Sequence, residues 1–361
     1  MIRNGDKCHA EDPNNCRFHH TGRYGTGAWS EEAIAARTPK KKVDIPAPFD
    51  SRRAQRLLKY AFQKPMELVK YAPPELSDIE LKEDAHNLPV EKAIAATMPF
   101  AEAFGAHLAE NVQSVSDAKQ KVVAQLRSIR MENGRLAERL KESDDESCER
   151  LISLIHKNND IIIAKSYEAR DYECRAFAEY FAHGSSPNEV AFDIDGSIDK
   201  GMADTLRLVA NSLFDKKIAT VEVAKVVPTT KPRSESTKEQ ISFSETEDSE
   251  TLIHEFAHLV EYNNPHVLKR CCEFLEHRCK GEKPQKLAWI DVGNFNDSEV
   301  GRKDNFFHAY CGKDYLDERG NRVSTEILSM GVEMMLTHPQ MFYENDKEYF
   351  SFVLNLIGGR L

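Results

Sequence analysis

Asp248-Ser-Glu-Thr-Leu-Ile-His254-Glu255-Phe-Ala-His258-Leu-Val260 is the stretch that decides how this chain is read. Residues four apart share one face of a helix, so His254 and His258 project side by side and can bind one metal ion through their imidazoles. Glu255 lies about 100° around the same helix. That places it within reach of a metal-activated water without making it a ligand, which is the position of a general base. Leu252, Ile253, Phe256, Ala257, Leu259 and Val260 make the helix apolar nearly all round. Two histidines and a glutamate inside such a helix need a reason to be there. The helix is expected to begin near Thr251, with Asp248 or Ser249 capping its first amides and neighbouring carboxylates suiting its positive end.

Outward from this helix the texture changes. Upstream, Met202–Phe214 reads as a helix, Ala219–Val227 as a strand, Thr229–Glu239 as a surface loop and Ile241–Ser244 as a second short strand. Downstream, Val267–Lys280 reads as a helix, and Ser324-Thr-Glu326-Ile-Leu-Ser-Met-Gly-Val-Glu333 opens another. A catalytic zinc needs a third protein ligand. His266, His277, Asp297, Glu299, His308, Glu326 and Glu333 are candidates. Glu326 is favoured because it starts a second helix after a Ser/Thr cap, and Glu333, two turns on, is a candidate partner for a histidine ring. Between the two helices, Tyr310 and Tyr315 are candidates to stabilise a developing oxyanion. Leu316–Val323 reads as an inserted turn or hairpin.

Before residue 190 the pattern is mostly helical. From 106 to 142, Val115, Val122, Ile129 and Leu136 recur every seven residues, with Leu126 and Leu140 on the adjoining seam and Asn133 interrupting it. This is an amphipathic helix packed in its own domain, or a coiled-coil or hairpin element open to self-association, with the run from Glu149 to His183 as a possible partner. Residues 1–50 carry Cys8, Cys16 and His19 close together, a second possible metal site. A cluster of Cys271, Cys272, His277 and Cys279 reads mainly as helix packing. The expected organisation is a flexible Cys/His-containing segment and linker over 1–50, a helical domain over 51–185, and an α+β domain over 190–361 with a small sheet.

The 361 residues are 40% apolar and 30% charged, with a formal net charge of -10. That balance makes nucleic-acid binding an unlikely role. No run approaches the roughly 18 apolar residues needed to cross a bilayer, and the first residues lack the apolar core of a signal peptide. The expectation is a cytoplasmic chain of a bacterium or an infected host cell, or one exported without a classical signal, with no membrane partner. Eight cysteines in so long a chain are read as free thiols or ligands.

The metzincin continuation would place glycine at 261 and histidine at 264; Glu261 and Asn264 rule it out. The motif, the Ile241 strand, Tyr310-Cys-Gly-Lys-Asp-Tyr315, Thr325-Glu-Ile-Leu-Ser-Met-Gly-Val-Glu333 and Gly358-Gly together resemble gluzincin-like zincin domains of phage, prophage and bacterial effector proteins. The resemblance covers about a third of the chain. It implies a Zn2+ ion held by His254, His258 and Glu326, a zincin fold whose edge strand (here Ile241–Ser244) supports an extended substrate, and hydrolysis of a protein or peptide with Glu255 as base. The alternative is a phage-related or effector structural protein whose zinc merely staples the domain.

Overall fold

The computed structural model describes residues 85–182, 188–290, 298–304 and 306–361. Three helices come first: α1 (Val90–Gly105), α2 (Leu108–Leu140) and α3 (Asp145–Phe181). A mixed region follows with β1 (Ala191–Ile194), α4 (Lys200–Ser212), β2 (Val223–Thr229), β3 (Glu235–Ser236) and β4 (Gln240–Ser244). The chain continues through α5 (Ser249–Asn263), α6 (Pro265–Arg278), β5 (Gln285–Lys286), α7 (Leu287–Ile290) and β6 (Val300–Gly301). It closes with β7 (Tyr315–Leu316), β8 (Arg322–Ser324), α8 (Ile327–Thr337), α9 (Pro339–Asn345) and α10 (Lys347–Ile357). The class is α+β, mainly helical with small sheets. Among the described residues no helix is long and apolar enough to cross a membrane.

The described residues fall into two compact units. One contains 85–115 together with the described residues from 170 onward; the other contains 116–169. In the second unit α2 and α3 run antiparallel. Val122, Leu126 and Ile129 pack with Ile162 and Ala169, and Leu136 and Leu140 pack with Cys148, Leu151 and Ile155. The seven-residue seam is therefore covered by α3 of the same chain. Asn133 is fully buried within it, donating to Asn159 at 2.9 Å and accepting from Asn158 at 2.7 Å. A buried amide paired in this way fixes one alignment of the two helices, because any slip would strand its polar atoms.

In the first unit the four strands lie in the order β1-β2-β4-β3. β2 and β4 run parallel, whereas β3 pairs antiparallel with β4 through Glu235↔Ser242 and Ser236↔Ile241. This corrects the expectation that Ile241–Ser244 is the edge: β4 is flanked on both sides, and the edge belongs to β3, inside the stretch read as a loop. Two residues of strand are too short to show the alternation by which a strand is recognised. The strand expected over Ala219–Val227 lies later, over Val223–Thr229.

α5 is buried along almost its whole length. Asp248 caps it by accepting from the backbone N–H of Glu250 and Thr251, so it starts at Ser249, two residues earlier than expected. It ends because Asn264 is extended and Pro265 cannot continue the hydrogen-bond ladder; Asn264 instead caps α6, with Pro265 in its first turn. Phe256 of α5 meets the rings of Phe192 and Phe214, with centroids 5.9 and 5.5 Å away. α8 begins at Ile327, with Glu326 at its cap position.

Candidate metal centre

α5 and the start of α8 bring three donors to one point. Nε2 of His254 and Nε2 of His258 each lie 3.2 Å from Oε2 of Glu326. Among the described residues, this is the one group of histidine, cysteine and carboxylate donors arranged to hold a metal ion, its ligand atoms all lying within 4.8 Å of one another. All three residues are buried, Glu326 completely. Two imidazoles and a carboxylate are a donor set suited to zinc in a catalytic site.

The outward nitrogens of both rings are held. Nδ1 of His254 lies 3.1 Å from Oε2 of Glu333, which α8 places two turns beyond Glu326. Nδ1 of His258 lies 3.3 Å from Ser324 Oγ and 3.8 Å from Glu261 Oε2. Glu261 also accepts from Ser324 Oγ at 2.7 Å, Thr325 Oγ1 at 2.6 Å and the Thr325 backbone N–H at 3.0 Å. Carboxylates in these positions fix ring orientation and keep each Nε2 aimed inward. Glu326 is fixed in turn: Tyr315 donates to its Oε1 at 2.5 Å and Ser329 to its Oε2 at 2.8 Å.

Burial by itself would lower the imidazolium of His254, but its hydrogen bonds to Glu326 and Glu333 override it and raise it to about 9. His258 is likewise pulled up against burial, chiefly by the Glu326 charge. Burial pushes the Glu326 carboxyl up, yet the two facing imidazoles hold it well below the usual carboxylate range. A divalent cation held by these donors would compensate the Glu326 carboxylate.

Glu255 is 8% exposed. Its backbone carbonyl accepts from Ser236 Oγ at 2.7 Å, which ties the edge strand β3 to α5. Its charge is felt at His258, Tyr262 and Glu247. Tyr310 and Tyr315 are both half-buried, their hydroxyls 3.4 Å apart. Both interact with Glu326 and with each other. Tyr315 donates to Glu326, whereas the oxygen of Tyr310 accepts from Lys313 and from Arg233, each at 3.2 Å. Burial raises both phenols well above their ordinary value, with the Glu326 charge adding to it.

The remaining candidates for third ligand are engaged elsewhere. Glu299 pairs with Lys313 at 2.8 Å, and His266 bonds the Leu361 carbonyl at 2.8 Å. His277 sits between Glu91 and Glu348, and His308 caps the turn at Ala309–Gly312. Asp297, and the N-terminal Cys8, Cys16 and His19, lie outside the described residues. Cys271, Cys272 and Cys279 are free thiols, buried except for Cys272. Sequence reasoning missed Glu261 as a support for His258, although its position three residues on, on the same helix face, is the available signal. It also missed Ser324 and Thr325, read only as a helix cap, and Arg233, which nothing local distinguishes from a loop cation.

Comparison of the chain with protein-family models, with curated proteins and with solved structures returns no match.

Proposed function

We propose that the chain is a zinc metallopeptidase of the gluzincin type, with His254, His258 and Glu326 as ligands and Glu255 as general base. The observation that carries this reading is the convergence of two Nε2 atoms on one carboxylate oxygen, each 3.2 Å from it, on helices that also supply second carboxylates to both rings. Three protein donors suit a catalytic zinc, which keeps one position for a reactant, better than a structural one, which takes four. Bound there, zinc would supply Lewis-acid polarisation of a peptide carbonyl and activation of water.

The chain's own residues divide the remaining work. Glu255 takes a proton from the attacking water and returns it to the departing amine. Tyr315 has committed its proton to Glu326 and serves to hold that ligand. Tyr310 is held by two cations, and its hydroxyl is the candidate to meet charge developing on the carbonyl oxygen. β3 offers a short strand edge beside α5 along which an extended peptide can pair.

Chelation and reconstitution test this reading. Protein stripped of metal should lose hydrolysis of a broad peptide library, and about one equivalent of Zn2+ per chain should restore it. Hydrolysis that persists without metal, or its absence from protein holding one zinc per chain, would contradict the proposal.

A further inference from the structure

Among the described residues, one cation beside the cluster has no carboxylate within ion-pair distance, although the charges of Glu299 and Glu247 reach it. Lys313 is 6% exposed and paired with Glu299. Arg233 also donates to the Tyr310 hydroxyl, from the exposed segment leading into β3. Among the described residues its hydrogen bond goes to that phenol, and no carboxylate reaches ion-pair distance. Its guanidinium presents five N–H donors in a rigid fork matched to a carboxylate, and one contact with a phenol leaves most of that fork unused.

The segment is held in place on its C-terminal side. Ser234 donates from its backbone N–H to Glu247 Oε2 at 2.8 Å and from its hydroxyl to the same oxygen at 2.5 Å. The Ser234 hydroxyl also accepts from the Ser244 N–H at 2.8 Å. Two residues on, Ser236 is bonded to the metal helix. Arg233 is therefore fixed at the beginning of the edge strand. It connects to the ligand Glu326 through the two phenols, by links of 3.2, 3.4 and 2.5 Å. An extended peptide advances about 3.3–3.6 Å per residue. A chain lying along β3 with its scissile bond at the cluster would bring Arg233 within about three residues of that bond.

We propose that Arg233 is a specificity-determining residue that takes a carboxylate of the substrate, so that preferred peptides carry an acidic side chain or a free chain end within about three residues of the cleaved bond. This rests on the peptidase reading above. Either source presents the same planar anion, and a bidentate guanidinium–carboxylate pair is both stronger and more directional than a lysine contact.

The experiment uses the full chain loaded with Zn2+ and a randomised decapeptide library, prepared once with free and once with amidated C-termini. Cleavage is read on the wild type and on Arg233→Glu; retention of uncleaved peptides is read on Glu255→Gln and on Glu255→Gln/Arg233→Glu. Zinc content is measured on all four. Because Arg233 is exposed and not a ligand, zinc content should not change on its substitution. Asp and Glu should be enriched about tenfold near the cleaved bond by the wild type, and Arg233→Glu should shift the preference to Lys and Arg. Enrichment that survives amidation assigns a side-chain carboxylate; enrichment confined to the free-ended library assigns the terminal one. Cleavage with no acidic preference, or a preference that Arg233→Glu leaves in place, overturns the inference alone. Zinc-loaded protein that neither cleaves nor retains any peptide overturns the peptidase reading and this inference with it.

Discussion

Glu261 sits one turn beyond His258, and its two oxygens take three hydrogen bonds from Ser324 and Thr325. A carboxylate so used joins the ligand helix to the residues just before the third ligand, without itself reaching the cluster point. Glu261→Gln should therefore keep the fold but weaken zinc binding by about 10- to 100-fold, as read by competition with a chromophoric chelator. Glu326→Ala should remove tight binding altogether; unchanged affinity in both would mean the ion sits elsewhere. The two tyrosines separate in the same way. Tyr310→Phe should lower kcat by about a hundredfold with zinc affinity unchanged, whereas Tyr315→Phe, by releasing Glu326, should weaken zinc binding first. The reverse pattern would exchange their roles.

Gly331 places the constraint at the level of elements. It lies in α8 between Glu326 and Glu333, where a Cβ would stand 2.3 Å from Val353 Cγ2 of α10. Gly331→Ala gains about 0.8–1 kcal/mol of helix propensity but must push the helices apart, at about 1–3 kcal/mol. It should lower both Tm and zinc affinity, because α8 and its cap carry the two carboxylates facing His254; a raised Tm would show that the two helices have room to spare. The sequence is legible where a period is long enough to read. The α2 seam, α5 with its cap, and the opening of α8 all show in their residues. So does the pairing of Glu326 and Glu333 on one side of α8, seven residues apart. β3 was not legible, because it is two residues long and becomes a strand only by pairing with β4. Arg233 was not legible as a site residue, because its role comes from a contact 77 residues away; Glu261 showed its place one turn from His258, but not its partners 63 to 64 residues away.

At the scale of the whole molecule, the metal helix is anchored to the long helix that precedes the sheet. Arg170 of α3 is buried and pairs with Glu250 at 3.1 Å, and it lies 3.9 Å from Asp248, the cap of α5. The Ser249 hydroxyl donates to Asp171 beside it. Burial raises the Asp171 carboxyl to about 7, with Asp199 adding to the rise and the Ser249 hydrogen bond opposing it. A carboxyl whose folded value lies above its unfolded one binds more protons when folded. Its contribution is therefore fully favourable below about pH 4 and is lost as pH rises to about 7. Asp171→Asn, which keeps an acceptor for Ser249, should raise Tm relative to the wild type at pH 8 and give little gain at pH 4. An equal shift at both values would remove this account of the anchor. Zinc should also stabilise the whole unit, since an ion that binds only the folded chain at 100 times its dissociation constant adds about 2.7 kcal/mol.

The most direct measurement is hydrolysis of the peptide library by zinc-reconstituted wild-type protein beside Glu255→Gln at matched zinc content. Glutamine fills the same space as Glu255 and cannot accept the proton. About one zinc per chain is expected in both proteins, with cleavage by the wild type and a loss of at least about a hundredfold in the variant. Full activity in Glu255→Gln with its zinc in place would contradict this expectation.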